Sequence, residues 1–444
     1  MQATESTNKQ PVIEAAKRAK TVLGALARLS TEEKNNALLK IAERIAAGAE
    51  EIFAANKKDL EAARPRVEAG EMPDSLYRRL KLDDAKLRDI IAGIHQVAAL
   101  EDPVGKITLA TELDEGLRLY RVNCPIGVIG VIFESRPDAL VQIASLCLKS
   151  GNAVLLKGGR EAEHSNRALF EIIQTAAASA GVPADAFTLL ESREDVMAML
   201  KAQGFVDLII PRGSNELVRF IQQNTNIPVL GHAEGICHVY IDATADLEKA
   251  MRITTDAKLN YPAACNAVET LLVHAKVARA VLPRVISEFQ QKSVEVRVDE
   301  RAIQEFGISS VSMASEEDWR AEYCDLILAI KVVDSIEEAI AHINAYGSHH
   351  TDAIITEDSA AFDRFFAEVD SAGIYLNAST RFADGFRYGF GAEVGISTGK
   401  LHPRGPVGLE GLVTYKYKLI GAGHTASTYT GPKAKPFAHK PLDK

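Results

Sequence analysis

The chain has 444 residues, of which 47% are hydrophobic and 25% charged, a composition that predicts a globular protein with two or three cores. Its net charge of -9 excludes a basic field that would favour nucleic acid or anionic membranes as partners. Residues 1–10 lack an apolar signal core and no window approaches ~18 uninterrupted apolar residues, so we expect a cytoplasmic protein. Five scattered cysteines without Cys-x-x-Cys spacing favour reduced thiols over a disulfide framework or a zinc site.

The first part of the chain has apolar residues at helical spacing. Residues 31–63 predict one or two amphipathic helices, with Ser30 as N-cap and Glu33 completing a capping box. These helices carry no recognisable chemistry and are expected to serve packing.

Two strand-like segments, 109–113 and 117–122, flank Asp114-Glu115-Gly116 and predict a β-hairpin. A third segment, 413–419, alternates apolar and polar residues and contains two tyrosines. A long aromatic strand would be a hazardous free edge, so we expect it to pair, most simply with another subunit; pairing within the chain is the alternative. The polar tail, residues 423–444, is predicted to be disordered or draped over a neighbour.

From residue 125 onward, apolar strands alternate with helices, which predicts an α/β fold with a doubly wound parallel sheet. Such sheets bind nucleotides at the carboxyl ends of their strands. Two predicted strand ends carry suitable residues, since glycines let a phosphate approach the backbone and a serine can cap the next helix. An ordinary turn is the alternative at each, but two at the ends of strands in one sheet are stronger evidence. These turns contain Lys157-Gly158-Gly159-Arg160 and Gly213-Ser214.

A second α/β unit follows. Its six predicted strands are 239–241, 270–274, 294–298, 327–333, 353–356 and 374–376. Cys265 lies between a predicted helix (246–259) and the second of these strands, among small residues and asparagines. A thiol at such a boundary is accessible, so we predict that Cys265 is a nucleophile; a buried cysteine acting as a small hydrophobe is the alternative.

Several motifs together resemble one family. The most specific runs from Val333 to Ile354 and includes Tyr346-Gly347-Ser348 and His350-Thr351-Asp352. From about residue 10 to 422 the chain resembles the aldehyde dehydrogenase superfamily and, within it, the γ-glutamyl phosphate reductases of proline biosynthesis. The other matching segments are 133–137, 156–159, 211–214, 262–270 and 404–411.

This resemblance implies an aldehyde dehydrogenase-like fold. The expected parts are an NADP-binding domain (1–106 and 124–231), a catalytic domain (232–408), a small β oligomerisation element (107–123 and 409–422) and the tail. It also implies NADPH-dependent reduction of L-glutamyl 5-phosphate to L-glutamate 5-semialdehyde, a homo-oligomer, and a possible glutamate 5-kinase partner.

The resemblance assigns roles to individual residues. It makes Cys265 the thiol nucleophile, Lys157 and Ser214 contacts to the adenosine ribose and the pyrophosphate, and Glu322 the carboxylate that holds the nicotinamide ribose. Arg160 stands where general members carry an acid that can bind a 2′-hydroxyl, and a cation there favours NADP(H) over NAD. Gly231 stands where hydrolytic members carry a glutamate base, as expected of an enzyme whose thioester is resolved by hydride.

The implied substrate carries a phosphate and an α-carboxylate, so cations are candidate anchors. The predicted substrate-binding residues are Arg136, Asn266, Arg381 and Arg404, with Arg136 or Asn266 as a candidate oxyanion donor and Lys400 as a further cation. The signature histidines 342, 349 and 350 are expected at a helix end and loop, and no metal site is predicted. Two other functions stay open: a dehydrogenase that converts another semialdehyde to an acid or acyl-CoA, and a non-catalytic nucleotide-binding scaffold with Cys265 as a redox switch.

Overall fold

A computed structural model describes residues 10–231, 234–309 and 311–443. The chain divides into two compact units. The first takes in the described parts of 1–230, 390–395 and 407–444, and the second those of 231–389 and 396–406. Within the described ranges, no helix has the length and apolar character needed to span a membrane.

The first unit begins with a helical layer; the apolar faces of α1, α2, α3 and α5 join its core, and Leu80 of α4 packs in a smaller cluster with Ala63. Its helices are α1 (Gln10–Leu26), α2 (Thr31–Ala47), α3 (Ala49–Glu68), α4 (Asp74–Leu80) and α5 (Asp84–Ala99). The capping box predicted from the sequence is confirmed: the Ser30 hydroxyl accepts from the Glu33 N–H at 3.2 Å, and the Glu33 carboxylate accepts from the Ser30 N–H at 2.7 Å.

The predicted hairpin is also confirmed, as β1 (Ile107–Asp114) and β2 (Leu117–Pro125). Gly116 in its turn has a φ of 74°, the left-handed region that favours glycine. A parallel sheet of four strands follows, in the order β5-β4-β3-β6. Its elements are β3 (Val128–Phe133), α6 (Pro137–Lys149), β4 (Ala153–Gly158), α7 (Glu163–Ser179), β5 (Phe187–Leu190), α8 (Arg193–Leu200), β6 (Leu208–Arg212) and α9 (Asn215–Asn224).

The second unit is built on seven parallel strands in the order β10-β9-β11-β8-β7-β12-β13, which confirms the α/β expectation. The sequence predicted six of them; β10, with two residues, is too short to show a pattern. The elements are β7 (Cys237–Ile241), α10 (Leu247–Leu259), β8 (Val268–His274), α11 (Ala275–Gln291), β9 (Glu295–Val298), α12 (Glu300–Phe306), β10 (Ser312–Met313), β11 (Ile327–Val333), α13 (Ile336–Tyr346), β12 (Thr351–Ile355), α14 (Ser359–Glu368) and β13 (Gly373–Leu376).

The last strands bear on the expectations for the third strand-like segment and for the tail. They are β14 (Gly395–Ser397), β15 (Gly405–Val407), β16 (Val413–Ile420) and β17 (Lys440–Pro441). Strand β16 does not need another subunit for its pairing, because it pairs antiparallel with β2 of the same chain from Val413 opposite Pro125 onward. One edge of β16 therefore follows the intrachain alternative, whereas its other edge is unpaired among the described residues, and pairing with another subunit there stays a prediction.

The tail is likewise placed against its own chain rather than disordered or draped over a neighbour. Strand β17 pairs with β1, so the four-stranded sheet has the order β16-β2-β1-β17. Asp114 of the hairpin accepts from the Tyr429 hydroxyl at 2.8 Å and pairs with Lys435, while the Tyr429 and Phe437 rings stack at 4.4 Å. Two aromatic rings and a buried carboxylate anchor a segment that composition alone marks as polar.

Candidate active site

Cys265 lies in the turn between α10 and β8, at the element boundary that the sequence predicted. Cys265 is half-buried, whereas Cys147 and Cys237 are buried. Burial raises the pKa of both Cys147 and Cys237 above the ordinary thiol value, so neither is suited to act as a thiolate. We call residues 260–267 the cysteine loop.

The main chain of the cysteine loop packs directly on the segment before β7. A Cβ built at Gly235 would lie 2.6 Å from the Cα of Cys265 and 2.7 Å from its carbonyl carbon, so only glycine fits there. The buried Cys237 thiol donates to the carbonyl oxygen of Cys265 at 3.4 Å. The nucleophile candidate is therefore positioned by close backbone contact rather than by its own side chain.

The signature motif holds that same segment in place. Ser348 accepts through its Oγ from the Ile236 N–H at 2.8 Å. The fully buried Asp352 carboxylate accepts from the His238 N–H at 2.8 Å, and the His238 Nδ1 lies 2.9 Å from the same oxygen. The motif thus acts on the cysteine through the two residues on either side of Cys237, a role that the sequence pattern did not indicate.

A buried ion pair joins the two ends of the cysteine loop. Lys258, near the end of α10, donates to Glu269, at the start of β8, over 2.6 Å, and both side chains are fully buried. The other Glu269 oxygen accepts from the Cys324 N–H at 3.3 Å. Burial raises the pKa of Glu269 to about 7, although Lys258 lowers it.

The loop after β13 is bonded to the cysteine loop. Asn266 donates from its Nδ2 to the Ala383 carbonyl at 2.9 Å, and Thr380 donates from its Oγ1 to the Asn266 carbonyl at 2.7 Å. Arg381 donates from its Nε to the Asn260 carbonyl at 2.6 Å. The structure therefore brings the predicted residues Asn266 and Arg381 together with Cys265, and we call residues 379–387 the arginine loop.

Asn266 is 4% exposed, and its Oδ1 has no hydrogen-bond partner among the described residues. Since its amide nitrogen already donates to the Ala383 carbonyl, the visible role of this side chain is to join the two loops.

Arg404 and Lys400 occur in a different arrangement from Arg381. Both pair with the Asp370 carboxylate, Arg404 at 3.0 Å and Lys400 at 2.7 Å, and these cations hold the pKa of Asp370 below its usual value. The Arg404 Nε is buried without a partner among the described residues. Their charge is thus largely offset by an acid of the chain itself.

Glu322, the predicted nicotinamide-ribose carboxylate, lies in the loop before β11, half-buried rather than fully solvated. The neighbouring Cys324 has a φ of 52°, and burial followed by the nearby Glu322 raises the pKa of its thiol to about 12. A strained backbone residue of this kind is typical of functional loops.

In the first unit, the lysine-glycine turn is shaped for close approach to the backbone. Lys157, the last residue but one of β4, is buried and donates to the Gly158 carbonyl, and burial lowers the pKa of its ammonium group. A Cβ at Gly158 would lie 3.1 Å from the Phe133 ring and overlap Asn166, whose buried Oδ1 has no partner among the described residues. The backbone at Gly158 carries no side chain, and the adjacent Asn166 oxygen can accept a hydrogen bond. Both features suit the binding of a nucleotide, whose ribose carries hydroxyl groups.

Arg160, Gly158 and Gly159 line the same small depression. The carboxylate of the next residue, Glu161, is already hydrogen-bonded within the chain. It accepts from the N–H of Ser135 at 2.7 Å and from the hydroxyl of Ser135 at 2.8 Å. Arg160 is exposed and has no carboxylate partner among the described side chains. A cation rather than a free acid therefore faces solvent at this turn.

The second predicted nucleotide turn follows β6. Ser214 is the N-cap of α9 and accepts through its Oγ from the Leu217 N–H at 3.4 Å. Its own N–H donates to the Glu134 carboxylate at 2.8 Å, and a Cβ at Gly213 would lie 2.8 Å from that carboxyl carbon. A dinucleotide phosphate at this turn would compete with Glu134 for the Ser214 N–H.

The remaining predicted residues are placed as follows. Arg136 precedes α6 in the first unit, so it is not in the unit that contains Cys265. His342 lies in α13 against the Trp319 ring, and burial lowers its pKa to about 2, while His349 and His350 lie in the loop that follows. Among the described residues, no group of three or more His, Cys, Asp or Glu side chains is arranged to hold a metal ion.

Comparison with known proteins identifies the family. The aldehyde dehydrogenase family profile matches residues 1–308. A γ-glutamyl phosphate reductase of Nostoc punctiforme is 55% identical over 97% of this chain and 98% of its own, and γ-glutamyl phosphate reductase 1 of Synechocystis sp. is 58% identical over 94% and 95%. The crystal structure of a γ-glutamyl phosphate reductase from Thermotoga maritima superposes with a TM-score of 0.90 at 42% identity, covering 93% of this chain and 99% of that one.

These similarities extend over nearly the whole chain. The chain is therefore an oxidoreductase of the aldehyde dehydrogenase fold, with a nicotinamide cofactor and a small-molecule substrate. It belongs to the γ-glutamyl phosphate reductase family, within the aldehyde dehydrogenase family.

Proposed function

We propose that this protein catalyses the NADPH-dependent reduction of L-glutamyl 5-phosphate to L-glutamate 5-semialdehyde and phosphate, the second step of proline biosynthesis from glutamate. The observation that carries the proposal is the half-buried thiol of Cys265, on a loop held by Gly235 and Cys237 and bonded to the loop of Arg381. Relatives of this name share more than half of the residues over nearly the full chain.

In the proposed mechanism, the Cys265 thiolate attacks the γ-carbonyl carbon, a sulfur–carbon bond forms, and the carbon–oxygen bond to the phosphoryl group breaks to release phosphate. Lys157, Ser214 and Glu322 would hold the nicotinamide cofactor, which would supply the hydride that reduces the resulting thioester. Collapse of the thiohemiacetal then releases the aldehyde and restores the thiol. Backbone N–H groups at the start of β8 are suited to stabilise the developing oxyanion.

The site is unsuited to hydrolysis of the thioester. Glu269 is the acid nearest to Cys265 in sequence on the β8 side, but one of its oxygens is bound to Lys258 and the other to a backbone N–H. Gly231 stands where the resemblance expects the base of hydrolytic members. Without a positioned base, water attacks slowly and hydride transfer resolves the intermediate.

We assign NADP(H) as the cofactor in preference to NAD(H). Arg160 offers an exposed cation for a 2′-phosphate, whereas Glu161 is engaged with Ser135 and is not free to bind a 2′-hydroxyl. The other proposed cofactor contacts are Lys157, Gly158, Gly159, Gly213, Ser214 and Glu322.

For the substrate, Arg136, Asn266, Arg381 and Arg404 remain the proposed contacts. We further propose a homo-oligomer formed through the free edge of β16, where Tyr415, Tyr417 and Leu419 are at least half exposed. The acyl phosphate is unstable in water, so a glutamate 5-kinase in the same cytoplasmic compartment is the proposed supplier.

The reverse reaction tests the proposed function. Glutamate semialdehyde, supplied in equilibrium with pyrroline-5-carboxylate, and NADP⁺ are given to the wild type with and without inorganic phosphate. We expect NADPH formation that requires phosphate and is abolished in Cys265→Ala, while Cys324→Ser, a matched change at a thiol outside the cysteine loop, retains it. Equal activity without phosphate would indicate a hydrolytic dehydrogenase instead, and the absence of turnover in the wild type would favour a non-catalytic scaffold.

A further inference from the structure

Two guanidinium-bearing residues are held together in the arginine loop. Arg387 donates from its Nη1 to the main-chain carbonyl of Arg381. Arg381 in turn donates through Nε to the carbonyl of Asn260, the first residue of the cysteine loop, at 2.6 Å. The Nη atoms of Arg381 make no hydrogen bond to another described residue, so this face of its guanidinium is available to a ligand.

The pair carries more positive charge than the chain offsets. Among the described residues, neither guanidinium forms an ion pair with a carboxylate; Asp384 is engaged by the backbone N–H of Arg387 at 3.0 Å. Burial, and then the nearby Arg387, lower the pKa of Arg381, while the Cys265 thiol and Asp384 act in the opposite direction. A partly buried guanidinium with a second, exposed guanidinium nearby is unfavourable until an anion binds between them.

The position of the pair selects one end of the substrate. While the sulfur of Cys265 attacks the γ-carbonyl carbon, the phosphorus lies two bonds from that carbon and the α-carboxylate carbon lies four bonds away. The phosphoryl group is therefore nearer than the α-carboxylate to Arg381, whose guanidinium is bonded to the cysteine loop. Guanidinium groups also match the oxygens of a phosphoryl group in bidentate geometry.

We propose that Arg381 and Arg387 together form the binding site for the phosphoryl group of the acyl phosphate, and for inorganic phosphate in the reverse direction. The inference rests on the proposed function for the identity of the ligand, and it adds Arg387, which belongs to no sequence motif. Arg404 and Lys400 contrast with this pair, because Asp370 already offsets their charge.

The kinetic test measures the KM for inorganic phosphate in the reverse reaction. Arg387 is exposed and its side chain donates to one main-chain carbonyl, so Arg387→Gln is expected to fold. Its KM for phosphate should rise by about tenfold or more, the effect of one charge-assisted hydrogen bond, with the KM for the semialdehyde within twofold of the wild type. Arg387→Lys should recover part of the loss, and Arg364→Gln, a surface change in α14, should leave both constants unchanged.

A second test needs no turnover and so separates this proposal from the proposed function. Alkylation of Cys265 is followed by peptide mass spectrometry with iodoacetate, an anion, and with iodoacetamide, its neutral analogue. The ratio of the two rates should fall several-fold in Arg381→Gln and Arg387→Gln, and inorganic phosphate should slow alkylation of the wild type more than that of either variant.

The outcomes are distinct. An unchanged KM for phosphate in Arg387→Gln, or a rise confined to the KM for the semialdehyde, would overturn the assignment. The assignment would also be overturned if the ratio of the iodoacetate rate to the iodoacetamide rate were the same in the wild type as in the two variants, whatever reaction the enzyme catalyses. A third outcome is possible, in which the wild type shows no phosphate-dependent turnover but the two variants still lose the preference for iodoacetate over iodoacetamide. That outcome would support the anion site and refute only the proposed reaction.

Discussion

Replacing Lys258 by methionine removes the positive half of a fully buried ion pair at the end of α10. Its partner Glu269 then keeps a carboxyl group with no exposed surface and only the Cys324 N–H as a donor. Breaking a buried pair from one side typically costs about 3 to 5 kcal/mol, because the remaining charge is uncompensated. We expect Lys258→Met to lower the free energy of unfolding of the second unit by that amount near neutral pH.

The loss of unfolding free energy in Lys258→Met should grow as the pH rises. Burial raises the pKa of Glu269 from 4.5 to about 7 even with Lys258 present. Because the folded carboxyl holds its proton more tightly than the unfolded one, its contribution to stability is full below pH 4.5 and is lost as the pH rises through about 7. Without Lys258 the folded pKa rises further, so the loss continues above pH 7 and the variant should be weaker at pH 8 than at pH 6 relative to the wild type.

Urea unfolding followed by tryptophan fluorescence measures this effect. The single tryptophan, Trp319, is buried in the second unit and reports on that unit alone. The matched control is Lys249→Met in the same helix, which breaks an exposed pair with Glu357 and should cost under about 1 kcal/mol. A second change, Glu269→Gln in the Lys258→Met background, should abolish the pH-dependent part. Equal destabilisation by Lys258→Met and Lys249→Met would refute the reasoning.

Three further predictions concern the site and the assembly. Gly235→Ala should lower turnover by about a hundredfold or more, because its Cβ displaces the main chain of Cys265; wild-type kinetics in this variant would show that the loop tolerates the shift. Arg160→Gln should raise the KM for NADP⁺ by roughly tenfold or more with little change for NAD⁺, and an equal effect on both cofactors would exclude contact with the 2′-phosphate. Tyr417→Lys, on the exposed face of β16, should lower the molecular mass in sedimentation velocity, whereas Phe366→Lys should not; an unchanged mass in the first variant would exclude this strand as the interface.

Much of the fold follows from local sequence patterns. Ser30 and Glu33 specify the start of α2 because a capping box involves only residues three apart. The alternation on either side of Gly116 specifies the hairpin, and the apolar runs of β3 and β4 specify a sheet covered on both faces. Cys265 could be singled out for a similar reason, since the change from helical to strand periodicity marks the boundary on which it lies.

Other features depend on contacts between residues far apart in the chain. No spacing connects Lys258 with Glu269 across the cysteine loop, Asp352 with His238, or Arg387 with the carbonyl of Arg381. The intrachain pairing of β16 could not be read from its sequence either, because an unpaired strand edge accepts any complementary strand.

The sequence by itself determined the element types, the α/β class and the candidate nucleophile, because periodicity, capping and turn chemistry act within a few residues. The tertiary structure decided which charges remain unpaired and which backbone holds the thiol. Arg404 is neutralised by Asp370, whereas Arg381 and Arg387 have no carboxylate partner among the described residues. That difference depends on burial and on distances between separate elements, and a linear order of residues contains neither quantity.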